Sequence, residues 1–69
     1  DSYASLNPVR TVGQQLAAPL RRHRLVPKEQ VTSRVEEILT QVGLTPPSFF
    51  ASKVPFQLSG GQRQRVSLA

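Results

Sequence analysis

The sequence predicts an all-α fold, a small bundle of three to four helices. Apolar residues recur at helical spacing between Val31 and Val42, the pattern of an amphipathic helix that buries one face. Two capping boxes indicate two further helix starts, because in each pair the two side chains bond each other's backbone N–H groups. The pairs are Thr11 with Gln14 and Ser59 with Gln62. With 69 residues, the chain is expected to be a single unit with a small core.

The first ten residues show neither a helical nor a strand period, and Pro8 favours an extended Asn7, so we expect a loop here. The first helix begins at the Thr11 capping box. Its apolar stripe recurs at every fourth position, at Val12, Leu16 and Leu20. Pro19 removes one backbone hydrogen bond, which predicts a kink or a tightened turn between Gln15 and Pro19.

The second helix is expected over about Lys28 to Val42, which contains the most regular apolar period of the chain. Pro27 suits the first helical position. Gly43 suits the position just beyond the helix end, where a left-handed backbone is common. A loop containing Pro46 and Pro47 then prevents the helix from restarting.

Several side chains that could act as catalytic groups or ligands are better explained as surface or core residues. His23 has no second His, no Cys and no paired carboxylate near it in sequence, so we interpret it as a surface histidine. Glu36 and Glu37 are neighbours on a helix and do not face each other as a catalytic pair. Phe49 and Phe50 belong to a stretch that predicts one short helical turn, in which one of them fills the gap between the longer helices. The sequence therefore offers no catalytic residue and no metal site.

The net charge of +5 would permit binding to nucleic acid or to an anionic membrane surface. The nine cations are spread along the chain, with one cluster at 21–24, and one Tyr and three Phe supply no stacking platform for bases. We interpret the charge as a solvated basic face and expect no nucleic-acid partner. No apolar run reaches the roughly 20 residues of a membrane span, and no leader resembles a signal peptide. The segment is expected to be soluble and cytosolic in character.

The last dozen residues combine a helix cap with two glycines. Each glycine in the first helical turn costs up to about 1 kcal/mol relative to alanine, so local propensity opposes the Ser59 cap. A helix N-terminus presents N–H groups and a partial positive charge, and a first turn without Cβ atoms lets an anion approach the backbone. Ser-Gly-Gly alone would be more typical of a flexible turn. The longer string, Leu58 to Val66, reverses that interpretation.

That string resembles the signature motif of the ATP-binding cassette (ABC) ATPases. In the family, the motif of one nucleotide-binding domain closes over the γ-phosphate of ATP held by the Walker A loop of a second domain. The resemblance implies that Ser59 bonds the γ-phosphate through side chain and backbone. It implies close backbone N–H contacts from Gly60 and Gly61, while Gln62 steadies the cap and the sugar side of the nucleotide. The implied ATP-binding residues are Leu58, Ser59, Gly60, Gly61 and Gln62.

The first residues resemble the segment directly after the Q-loop glutamine in ATPases of the oligopeptide and dipeptide importer subfamily, where Ser-Leu-Asn-Pro recurs. In that family this loop faces the coupling helix of the membrane permease. The resemblance therefore implies permease contacts at Tyr3, Ser5 and Leu6. It divides the chain into a post-Q-loop segment (1–10), a helical subdomain (11–57) and the signature motif with the start of its helix (58–69). The implied location is peripheral, at the cytoplasmic face of the inner membrane.

ATP hydrolysis needs a G-x-x-x-x-G-K-[ST] loop and an acidic strand end that holds Mg²⁺, and the sequence contains neither. We therefore expect a segment of a longer ATPase. The intact protein would use ATP and Mg²⁺, whereas this segment alone would be no enzyme and would bind neither. Implied partners are a second nucleotide-binding domain and the permease subunits, and implied cargoes are peptides, nickel or related solutes. Two alternatives are a non-transport ABC ATPase acting on nucleic acid or the ribosome, and a free-standing basic helical binding module.

Overall fold

A computed structural model describes residues 6–69 as four α-helices joined by loops and two short 3₁₀ turns. The α-helices are α1 (Val12–Arg22), α2 (Val31–Gln41), α3 (Pro47–Ala51) and α4 (Gly60–Leu68). The 3₁₀ turns are Lys28–Gln30 and Pro55–Gln57. Within this part of the chain there is no β-strand. The predicted all-α bundle is therefore confirmed.

Helix α1 begins at the predicted capping box. The Gln14 N–H donates to Thr11 Oγ1 at 3.1 Å, and the Thr11 N–H donates to Gln14 Oε1 at 2.9 Å. The helix continues through Pro19 to Arg22. Pro19 has no N–H to donate, but the loss of this one hydrogen bond does not end the helix.

The end of α1 has a conformation that the sequence did not predict. Arg24 adopts a left-handed backbone with φ of 50°, a position usually occupied by glycine. The Leu25 N–H then donates to Leu20 O at 3.1 Å, and the Arg24 N–H donates to Arg21 O at 3.3 Å. These two bonds satisfy helix-end carbonyls, as in a Schellman motif.

Helix α2 confirms the predicted second helix but begins later than expected. Residues Lys28–Gln30 form a 3₁₀ turn, and the α-helix itself starts at Val31. Pro27, predicted as the first helical residue, lies one position outside this turn with an extended ψ of 145°. The Gln30 N–H donates to Pro27 O at 2.8 Å, and this bond across three residues makes the first turn 3₁₀.

The end of α2 matches its prediction. Gly43 has a φ of +83° and follows Val42, the C-cap residue of the helix. The Gly43 N–H donates to Thr40 O at 3.0 Å, and the Leu44 N–H donates to Leu39 O at 2.9 Å. This is a Schellman motif whose apolar pair, Leu39 and Leu44, lies in the core.

The core lies where α2 packs against both α1 and α3. Among the described residues, nine apolar side chains are buried in it, at Val12, Ala17, Leu20, Val31, Val35, Leu39, Leu44, Leu58 and Val66. Phe50 is half-buried and packs against this cluster, so one of the two neighbouring aromatics contacts the core. Phe49 is 51% exposed, and the Lys53 ammonium lies 4.4 Å from its ring centroid.

Replacing Gly43 by alanine should lower the free energy of unfolding by about 1–2 kcal/mol, because a Cβ atom is strained in the left-handed conformation. Urea denaturation of the variant and of the unaltered protein would measure the change. Gln41→Ala, an exposed substitution two residues earlier on α2, should stay within about 0.5 kcal/mol. Equal stability of Gly43→Ala and the unaltered protein would contradict the helix-end geometry.

Candidate functional site

The signature stretch forms a tightly capped helix start. Ser59 is the N-cap of α4, with an extended backbone at φ −68° and ψ 166°. The Gln62 N–H donates to Ser59 Oγ at 3.1 Å, and the Ser59 N–H donates to Gln62 Oε1 at 2.9 Å. The Arg63 N–H adds a bond to Ser59 O at 3.0 Å. The predicted capping box is therefore confirmed.

The glycines lie in the first turn of this helix. Gly60 is half-buried and Gly61 is exposed. A Cβ atom built on Gly61 would meet nothing within 4 Å, so no neighbouring protein group requires glycine at this position. Within residues 6–69, no group accepts a hydrogen bond from the Gly61 N–H. The chain thus carries a residue that weakens its helix and gains no internal packing from it.

The electrostatics of this turn favour an anion. The first turn of α4 carries no acidic residue, so the positive end of the helix dipole is not neutralised there. The Ser59 hydroxyl accepts from Gln62 but keeps its own O–H as a donor. The Ser59 N–H, in contrast, is already engaged by the Gln62 side chain. The donors presented to solvent are therefore the Ser59 hydroxyl and the Gly61 amide.

Two buried side chains hold this turn against the bundle. Leu58, directly before the cap, is 6% exposed, and Val66, two turns into α4, is 2% exposed. Leu58 was included among the implied ATP-binding residues, and the structure places it in the core beneath the cap. Leu58 and Val66 fix both ends of the segment to the same apolar cluster.

Arg63 ties the approach segment to α4, a role that the sequence analysis did not identify. Its half-buried guanidinium donates from Nη1 to Pro55 O at 3.2 Å and to Leu58 O at 3.1 Å. The adjacent turn is closed by the Val54 N–H, which donates to Gln57 Oε1 at 3.0 Å. No sequence pattern signals the Arg63 contacts, since they depend on where the 3₁₀ turn lies relative to α4.

The implied permease contacts divide between described and undescribed residues. Tyr3 and Ser5 lie outside residues 6–69, which are the residues that the structure describes. Leu6 is half-buried and packs against the core cluster. The turn that follows, residues 7–10, is exposed. The structure thus brings the described part of this loop onto the start of α1.

Other candidate groups remain apart from this site. His23 is exposed, as predicted. Arg34 and Glu37 form an i, i+3 ion pair on the outer face of α2. Among residues 6–69 no three His, Cys, Asp or Glu side chains are grouped as metal ligands would be. No helix in that same range has the length and apolar character needed to cross a membrane.

Comparison with known proteins assigns the family. The model of the ABC transporter family matches residues 2–69. This chain belongs to the ABC transporter family. Similar proteins include the glutathione import ATP-binding protein GsiA of Escherichia coli O1:K1 / APEC, of Escherichia coli strain K12 and of Shigella flexneri. Each is 45% identical over 69 residues, which is 100% of this chain.

This chain covers only part of these relatives and spans 11% of the length of each. The matched part includes the Ser-Gly-Gly cap and the bundle beneath it. The resemblance to ATP-binding proteins of importers, predicted from the sequence, is thereby confirmed.

Arg63→Ala should lower the free energy of unfolding by about 2 kcal/mol, because two carbonyls lose a charged hydrogen-bond donor. Arg65→Ala removes the same side chain from an exposed position on the same helix and should change it by no more than about 0.5 kcal/mol. Urea denaturation of both variants measures the difference. Equal losses in the two variants would show that the Arg63 bonds do not hold the approach segment.

Proposed function

We propose that this chain is the helical and signature segment of the ATP-binding subunit of an ABC importer. In the intact protein, the first turn of α4 contacts ATP bound on a second nucleotide-binding domain. The segment transmits the closure of the two domains to the membrane permease through the loop at residues 1–10. Hydrolysis belongs to the intact ATPase, since the sequence of this segment contains no catalytic residue.

The observation that carries this proposal is the exposed Gly61 at a capped helix start. Its missing side chain leaves open space, its amide has no acceptor among residues 6–69, and the helix dipole adds positive charge. A phosphate fits this arrangement, because helix N-terminal amides and hydroxyls are ordinary phosphate donors. The Ser59 and Gln62 side chains close this turn with protein groups alone, so little ordering is required on binding.

Each residue of the signature has a distinct part in the proposal. The Ser59 hydroxyl donates to the γ-phosphate, and the Gly61 amide donates from the backbone. Gly60 keeps the first turn free of a second side chain, and Gln62 holds the cap closed through its bond to the Ser59 N–H. Leu58 anchors the turn in the core. The Ser59 N–H serves the cap, so the hydroxyl supplies this residue's phosphate contact.

ATP and Mg²⁺ would be held chiefly by the second domain. Mg²⁺ takes oxygen ligands, most often carboxylates and phosphates. The first turn of α4 carries no carboxylate, so this segment contributes hydrogen-bond donors and no metal ligand. When bound, the nucleotide supplies the negative charge that draws the two domains together. The residues of this chain supply binding and orientation.

The proposed cargo is a peptide or a related small solute. The relatives are named for glutathione import, and glutathione is itself a small peptide. The Ser-Leu-Asn-Pro string at residues 5–8 supports the same class, through its resemblance to oligopeptide and dipeptide importers. The protein would act at the cytoplasmic face of the inner membrane as a peripheral subunit.

Gly61→Asp and Ser59→Arg should each reduce ATP hydrolysis by the intact protein by about 100-fold or more, because a side chain then occupies the path of the phosphate. The Asp also adds a repelling charge. ATP-driven association of the two nucleotide-binding domains should be lost in both variants. ATP turnover and gel filtration with ATP measure these effects.

Thr32→Asp is the matched control, because Thr32 is exposed and occupies the second position of α2, as Gly61 does in α4. This variant should hydrolyse ATP normally. Unaltered turnover in Gly61→Asp and Ser59→Arg would refute the phosphate contact. If both variants lose ATP turnover but the intact protein associates with no permease, the result would instead favour a non-transport ABC ATPase.

A further inference from the structure

A single side chain, Gln15, holds the turn at residues 7–10 to α1. The Asn7 N–H donates to Gln15 Oε1 at 2.9 Å, and Gln15 Nε2 donates back to Asn7 O at 2.8 Å. The same nitrogen donates to Arg10 O at 3.0 Å. The carboxamide thus uses its oxygen and both of its N–H groups on the backbone of this one turn.

The turn has little other attachment in the described residues. Its internal bonds are the Val9 N–H to Asn7 Oδ1 at 3.1 Å and the Arg10 N–H to Asn7 O at 3.3 Å. Val9 is 82% exposed, and apolar packing is limited to the neighbouring Leu6. An exposed turn with few apolar contacts opens readily unless hydrogen bonds hold it. The three hydrogen bonds of the Gln15 carboxamide, named the Gln15 clasp, are therefore the main restraint between the turn and the helix.

Gln15 lies at a point of α1 that is itself firmly fixed. Its N–H donates to Thr11 O at 3.0 Å in the first turn of the helix. One residue after Thr11, the fully buried Val12 donates its N–H to Lys53 O at 2.8 Å. Lys53 leads directly into the 3₁₀ turn that Arg63 binds. A displacement of the turn at 7–10 is thus passed to a rigid part of the bundle.

We propose that Gln15 is a positioning residue that couples the turn at residues 7–10 to the helical bundle. This inference rests on the proposed function, in which the loop at residues 1–10 faces the permease. With these hydrogen bonds in place, movement of the two domains displaces the turn at residues 7–10 together with α1. Without the Gln15 hydrogen bonds, the turn moves independently of α1, and ATP is hydrolysed without a matching transport step.

The test uses the complete transporter in proteoliposomes, with Gln15→Leu, Gln15→Glu and the control Gln41→Leu. Leucine keeps the size of Gln15 but makes no hydrogen bond, whereas glutamate keeps an acceptor for the Asn7 N–H. Gln41 is exposed at the end of α2 and makes no side-chain hydrogen bond within residues 6–69. The readouts are labelled peptide imported per ATP hydrolysed, with glutathione among the peptides, and amide hydrogen exchange at residues 7–10.

Gln15→Leu should import at least about three-fold less peptide per ATP hydrolysed while ATP turnover is retained. Amide exchange at residues 7–10 should accelerate by about ten-fold. Gln15→Glu should fall between Gln15→Leu and the unaltered protein, and Gln41→Leu should match the unaltered protein. If Gln15→Leu fails to accumulate, the comparison of Gln15→Glu with the unaltered protein decides.

An unchanged ratio of import to ATP hydrolysis in the Gln15 variants would overturn the positioning role, even if amide exchange accelerates. Parallel losses of import and ATP turnover would overturn it as well, since they would indicate general damage to the domain. Failure of the proposed function would be seen differently, as normal ATP turnover in Ser59→Arg. That variant leaves the bonds of Gln15 intact.

Discussion

The first turn of α4 must be held in one conformation while its backbone stays uncovered by side chains. This constraint governs the arrangement of the rest of the segment. The reciprocal bonds between Ser59 and Gln62 meet the first demand, because they close the turn with side chains alone. The second demand is met by glycine, at a cost in helix propensity. The open space around Gly61 shows that this cost is not repaid by packing within the chain. Under the proposed function, the phosphate of a bound nucleotide accounts for it.

A bare turn is useful only if it stays in place, and the bundle supplies that rigidity. Leu58 and Val66 enter the same core as α1, α2 and α3, so the cap sits between two buried anchors. Arg63 bonds the preceding turn from within α4 itself. Donors that are already in place lose little conformational freedom when a charged group binds, and the core keeps them in place.

The two candidate interaction regions lie on one connected framework. The turn at residues 7–10 is held by Gln15, and the start of α1 is bonded to Lys53 O. From Lys53 the chain passes into the 3₁₀ turn at Pro55–Gln57 and then into the cap. Short, bonded connections of this kind suit a part that relays movement between a nucleotide and a membrane partner.

The helices and the cap could be predicted from the sequence, because both depend on residues three or four positions apart. The capping boxes, the period of α2 and the left-handed Gly43 are local patterns of this kind. The contacts of Arg63 and the hydrogen bonds of Gln15, in contrast, emerge from the three-dimensional structure alone. These bonds depend on which backbone carbonyls a preceding segment brings close to the side chain. The spacing of residue types along the sequence does not indicate how close two segments lie.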